Sequence, residues 1–211
     1  MAGPNGQRRV YWKPGGMPME TVRALKEWAV TVKALSEGRQ LLVMRKGGIR
    51  EKRFDVEFRS FYLYPTYEHQ RPELIKPEFL PDLEETLRNA PPADTLVLPC
   101  WAEVTGLYEV RDQEHVRALS PYHIWADDYI LQRLHWRPKQ PLTVMLLRVY
   151  RLPQPVFLPL LPEYVGCFSW VDLPAERFAG LQPVPVLDDA EYETRVAPLR
   201  ALLAGMTAPT A

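Results

Sequence analysis

Apolar and polar residues alternate along Phe54-Asp-Val-Glu-Phe-Arg59 and run on into an aromatic segment, which predicts a strand from Phe54 to Tyr64 with Phe54, Val56 and Phe58 on one face. The stretch Leu142-Thr-Val-Met-Leu-Leu-Arg-Val-Tyr-Arg-Leu152 is apolar without clean alternation, as expected of a strand covered on both faces. Nearer the N-terminus, Ala29–Leu35 and Gln40–Met44 flank the turn Ser36-Glu-Gly-Arg39, and the pattern predicts a hairpin. Val22, Leu25 and Ala29 recur at helical spacing, which predicts a short helix over Glu20–Trp28.

Prolines at 72, 77, 81, 91, 92 and 99 forbid a long helix or central strand there. One short helix fits, Pro81–Ala90, with proline at its start and acids in its first turn. Beyond it the pattern predicts strands over Thr95–Leu98 and Trp101–Arg111, a helical turn over Gln113–Leu119 and a helix over His123–Trp136. Strands follow over Val156–Leu158 and Cys167–Leu173, then an amphipathic helix Asp189–Leu203 broken or kinked near Pro198. Trp125, Tyr129 and Trp136 recur at near-helical spacing and read as core. The fold expected is α+β: two small, mostly antiparallel sheets with flanking helices in one bilobed unit. Residues 1–18 form a flexible arm in this reading, 19–90 the N-terminal lobe, 91–205 the C-terminal lobe and 206–211 a tail.

Apolar residues make up 46% of the 211 and charged residues 25%, which excludes wholesale disorder. Lys plus Arg and Asp plus Glu both number 26, so no global field draws the chain to nucleic acid or an anionic membrane, and any anion site must be local. Cys100 and Cys167 have no companion at metal-binding spacing, so neither a zinc ribbon nor a disulfide framework is encoded. No apolar run approaches the ~18 residues that a membrane span requires. A cytoplasmic protein is expected, with its oligomeric state open.

The local charge is concentrated in Arg45-Lys-Gly-Gly-Ile-Arg-Glu-Lys-Arg53. A glycine pair lets backbone approach a ligand closely, and flanking cations would offset a phosphate or carboxylate. Candidate ligand-binding residues are therefore Arg45, Lys46, Gly47, Gly48, Arg50 and Arg53, with Arg59 on the following strand. In the N-terminal arm, Arg8, Arg9 and Lys13 interleave with Tyr11 and Trp12, a pattern suited to stacking on single-stranded bases or to a frayed terminus.

The chain has no Walker-type phosphate loop, no dinucleotide glycine fingerprint, no HExxH and no GxSxG, and those reaction classes are set aside. Three weaker constellations remain. His69 beside Glu68 follows an aromatic strand, where either side chain could act as a general base or a metal ligand. Asp55 and Glu57, with Glu27 as a further acid, approximate a nuclease metal site, but Arg59 stands where lysine is usual. His123 and Asp127 would fall one turn apart on the predicted helix and could share a divalent cation, or form a surface charge pair.

Leu25-Lys-Glu-Trp-Ala29, Arg45-Lys-Gly-Gly-Ile49, Phe61-Tyr-Leu-Tyr-Pro-Thr-Tyr-Glu-His-Gln70, Tyr122-His-Ile-Trp125 and Leu146-Leu-Arg-Val-Tyr-Arg151 together resemble the bacterial family of unknown function DUF1802. The resemblance runs from about residue 20 to Leu173 and implies no catalytic residues. The expectation from the residues is binding of nucleic acid, a nucleotide or another phosphorylated ligand at a basic loop-strand cleft. A metal-dependent phosphodiesterase and an adaptor for an acidic protein are the alternatives.

Overall fold

The computed structural model describes residues 9–12, 18–46 and 58–206. Its element order is β1 (Arg9–Trp12), β2 (Pro18–Trp28), α1 (Ala29–Ser36), β3 (Leu42–Arg45), β4 (Ser60–Thr66), α2 (Leu80–Arg88), β5 (Thr95–Val110), α3 (Gln113–Ala118), α4 (Asp127–His135), β6 (Leu142–Pro159), β7 (Trp170–Pro174), β8 (Val184–Pro185) and α5 (Asp189–Leu202). The α+β class is observed. The strands form one eight-stranded sheet in the order β1-β2-β4-β5-β6-β3, with β7 also pairing β2 and β8 pairing β6, rather than two small sheets. Strands from either side of residue 90 join it, since Ser60–Tyr62 of β4 pair with Trp101–Glu103 of β5.

Two hydrophobic clusters lie on opposite faces of this sheet, and the side-chain alternation of single strands sorts residues between them. On β4, Phe61 and Leu63 enter the larger cluster while Tyr62 and Tyr64 enter the smaller one. On β5, Cys100 and Ala102 point one way and Leu98 and Trp101 the other. The larger cluster takes buried residues from each of α1 to α5; the smaller is closed by Tyr164 and Phe178 from short 3₁₀ turns. The two cores are thus separated across the sheet, not along the chain.

Two N-terminal elements exchange the types expected of them. Ala29–Ser36 is a helix, and its Val30, Thr31, Val32, Ala34 and Leu35 are all buried. A helix enclosed on nearly every side has no polar stripe to reveal its period, and burial overrides the β-propensity of Val-Thr-Val. Its first turn is capped from afar: the Val30 amide donates to Gln70 Oε1 at 3.0 Å. The helix ends at Gly38, whose φ of 68° is a left-handed stop and where a Cβ would lie 2.7 Å from Leu187.

Conversely, Pro18–Trp28 is a strand flanked by β1, β7 and β4, and its charged residues are held in place by partners. Arg23 pairs with Asp172 at 2.9 Å, Lys26 donates to the Gly166 carbonyl at 3.0 Å, and Glu27 meets Arg45 at 3.2 Å. Arg9–Trp12, expected in a flexible arm, pair antiparallel with Pro18–Thr21.

Farther along, β5 is one continuous strand, and its ladder to β6 shifts register between Leu98 and Cys100, where Pro99 cannot donate. β6 absorbs both predicted strands of its region, and α5 runs unbroken through Pro198. Among the described residues, no helix is long and apolar enough to cross a membrane.

Candidate functional site

β2 and β4 run parallel with Glu27 opposite Pro65 and Trp28 opposite Thr66, so both strands end on the same crevice. That crevice is a cavity of about 490 Å³, a volume usual for a small-ligand site. Lys26, Glu27 and Trp28 form its floor together with Tyr64 and Tyr67; α4 adds Tyr129 and Arg133, β3 adds Arg45, and the β6–β7 connection adds Tyr164 and Cys167.

Lys26 is 9% exposed. Its ammonium lies 4.1 Å from the Phe168 ring centroid and 5.4 Å from that of Tyr64, and one of its hydrogens goes to the Gly166 carbonyl. Burial holds its pKa below the ordinary lysine value, against the opposing pull of Glu68 and Cys167. The Tyr64 hydroxyl is pushed up to about 12 by burial first, then by Tyr164 and Glu68, and burial raises Tyr67 as well. These phenols remain neutral hydrogen-bonding groups at physiological pH.

Arg45 crosses from β3 to donate to Glu27 Oε2 at 3.2 Å and to the Lys26 carbonyl at 2.9 Å. The other Glu27 oxygen accepts the Trp28 amide at 2.9 Å. Trp28 and Tyr129, which both line the cavity, stack with centroids 5.2 Å apart and planes 19° from parallel. Arg133 donates to the Tyr129 hydroxyl at 2.8 Å, while its Nε is buried without a hydrogen-bond partner among the described residues. Lys26, Arg45 and Arg133 thus face two carboxylates, Glu27 and Glu68, and Glu27 is already paired.

The structure brings together Arg45, His69, Glu68 and Glu27 among the residues the sequence singled out. His69 and Glu68 are exposed at the rim, and His69 adopts a φ of 61°, a left-handed conformation uncommon outside glycine. Lys46 turns inward instead: its ammonium is buried and donates to the Leu134 carbonyl in the last turn of α4, where a cation complements the helix end. Arg59 is exposed and does not line the cavity. Gly47, Gly48, Arg50, Arg53, Asp55 and Glu57 lie outside the described residues.

His123 and Asp127 do not share a helix face. α4 begins only at Asp127, and His123 precedes it in extended backbone. Its ring is buried beside Trp125, while exposed Asp127 accepts the Ser120 hydroxyl at 2.6 Å. Among the described residues, no group of three or more His, Cys, Asp or Glu is placed to hold a metal ion.

Lys26, Trp28, Tyr129 and Arg133 were not foreseen as site residues. Tyr129 reads as core in sequence because it shares a spacing with Trp125, which is indeed core at 3% exposure. Trp136, of the same series, is 43% exposed.

The solved structures include one likeness, the crystal structure of a ZmASCH mutant protein from Zymomonas mobilis, with a TM-score of 0.41 and 12% identity over 74% of this chain and 90% of that one. No curated protein matches the sequence. Residues 24–198 match the family model described as a domain of unknown function, DUF1802, and this span contains β4, the cavity and all of α4. The chain therefore belongs to the DUF1802 family.

Proposed function

We propose that the cavity binds a nucleotide, with phosphate held by Lys26 and Arg133 and the base against the aromatic wall that includes Trp28 and Tyr129. The observation that carries this reading is the state of Lys26. The residue is 9% exposed, its ammonium sits over aromatic rings, and burial, ahead of any carboxylate, is the first influence on its pKa. A partly desolvated cation at a cavity gains from an anion that enters and supplies opposing charge. Arg45 is engaged by Glu27 and serves as the rear support of the site. In this reading the phosphate contact falls to Lys26 near the end of β2 and Arg133 of α4.

Titration calorimetry with uridine or adenosine monophosphate at low salt tests the reading. Binding is expected to weaken about tenfold in Lys26→Met and in Arg133→Gln, equal to ~1.4 kcal/mol each. The unphosphorylated nucleoside should bind more weakly than the nucleotide, and added salt should close that gap. Absence of binding at millimolar nucleotide, or equal binding by nucleoside and nucleotide at low salt, would overturn it.

A further inference from the structure

We infer that the natural ligand is a single-stranded segment of nucleic acid, one nucleotide seated in the cavity and the strand leaving along α4 to a second stacking platform at Trp136. This rests on the nucleotide reading above and extends it. Tyr129 and Arg133, four residues apart on α4, both line the cavity. Continuing along the same helix brings Trp136 seven positions after Tyr129, or about 10 Å farther along the axis. Trp136 closes the helix with a ψ of 119°, and Pro138, which disfavours helical backbone in the residue before it, ends the run.

The indole emerges at the surface instead of joining the core, and at 43% exposed it is, among the described residues, one of the few large apolar side chains so placed. It is also pinned. Arg137, with a φ of 55°, folds its guanidinium 4.6 Å over the Trp136 ring centroid. Lys139 is exposed beside it, and Arg111 reaches the Lys139 carbonyl at 3.5 Å while holding Glu109 at 3.0 Å. An exposed indole with a guanidinium over one face can take a base by stacking and the adjoining phosphate by charge, independent of sequence. A free mononucleotide filling the cavity would have no use for it.

The test compares uridine monophosphate with an oligouridylate of about ten nucleotides, and with a duplex of equal length, on the full chain at low salt. The oligonucleotide is expected to bind at least about tenfold more tightly than the monophosphate. Trp136→Ala should erase most of that gain and leave monophosphate binding unchanged, and Arg137→Gln should reduce the salt slope by about one. Trp136 lies on the surface, so its variant should fold. Oligonucleotide binding no tighter than monophosphate, equal binding of the duplex, or an unaffected Trp136→Ala overturns the strand path and leaves the cavity reading standing. If instead the monophosphate fails to bind and Lys26→Met leaves oligonucleotide binding intact, the cavity reading itself fails, and the path out of the cavity with it.

Discussion

Arg45 at the end of β3 reaches 3.2 Å from the Glu27 carboxylate on β2, although the sheet order places those two strands far apart. The pair spans the cavity from one element to the other, and Glu27 is 7% exposed, so the carboxylate depends on this cation and on the Trp28 amide.

Replacing Glu27 with Gln should therefore have two effects of opposite kind. Removing the charge leaves the guanidinium under-compensated and costs about 1–3 kcal/mol of stability, read as a lower urea midpoint at unchanged slope. The same change removes a negative charge from beside the proposed phosphate position and should strengthen mononucleotide binding by roughly fivefold. A variant as stable as the parent, or one that binds nucleotide less well, contradicts this account of the pair.

Legibility in the sequence followed the physical distinctness of each signal. β6 was readable because an apolar run of such length between turn residues has few alternatives, and α2 because proline and acids mark its start. α1 read as a strand because enclosure removes the polar face from which a helical period is read, and β2 read as a helix because Val22, Leu25 and Ala29 recur at helical spacing. Lys26 and Glu27 are each buried against a partner distant in sequence, Gly166 and Arg45, which no local pattern announces. The cavity was only half visible, because its walls come from segments as distant as Lys26, Tyr129 and Cys167, which only the sheet order brings together. Arg45 and His69 were found through charge and local sequence; Arg133 carried no local signal to separate it from an ordinary surface arginine.

His123 supplies a pH prediction. Its pKa is lowered to about 3, first by burial and then by neighbouring Lys76, with Asp127 acting weakly the other way. The ammonium of Lys76 is fixed there by the Ser120 and His123 carbonyls. Between pH 6.5 and about 3 the unfolded chain binds a proton at this histidine that the folded chain does not. Stability from this group is thus present in full above pH 6.5 and falls on acidification, by at most about 1.4 kcal/mol per pH unit. Urea unfolding at several pH values across this window should show that decline, and His123→Leu should flatten it. An equal slope in both proteins would show that His123 is not the group responsible.

The contact between Trp125 and Thr31 tests how α1 is fastened. The indole N–H donates to the threonine hydroxyl at 3.1 Å with both residues buried, and Trp125 also forms a bridge to Ile75. Thr31→Val keeps shape and volume while stranding a buried donor, at an expected cost of about 1–3 kcal/mol. Thr31→Ser retains the hydroxyl and should recover most of the hydrogen-bond loss. Equal destabilisation by Val and Ser would assign the effect to packing.

Gln70 links the cavity rim to the same helix. Its Oε1 accepts the Val30 amide, its Nε2 is buried without a partner among the described residues, and it directly follows His69 with its left-handed backbone. The side chain therefore anchors the rim by capping α1. Gln70→Leu removes that acceptor and should cost about 1–2 kcal/mol, the scale of a lost helix cap. Because Glu68 and His69 hang from this anchor, nucleotide affinity should fall as well, although Gln70 is not among the residues lining the cavity. Amide exchange separates a local role from a global one: loss of the cap should first accelerate exchange in the opening turn of α1 and leave β6 protected. Uniform acceleration across both elements would mean that the substitution weakens the whole fold, and the proposed tie between cap and rim would be wrong.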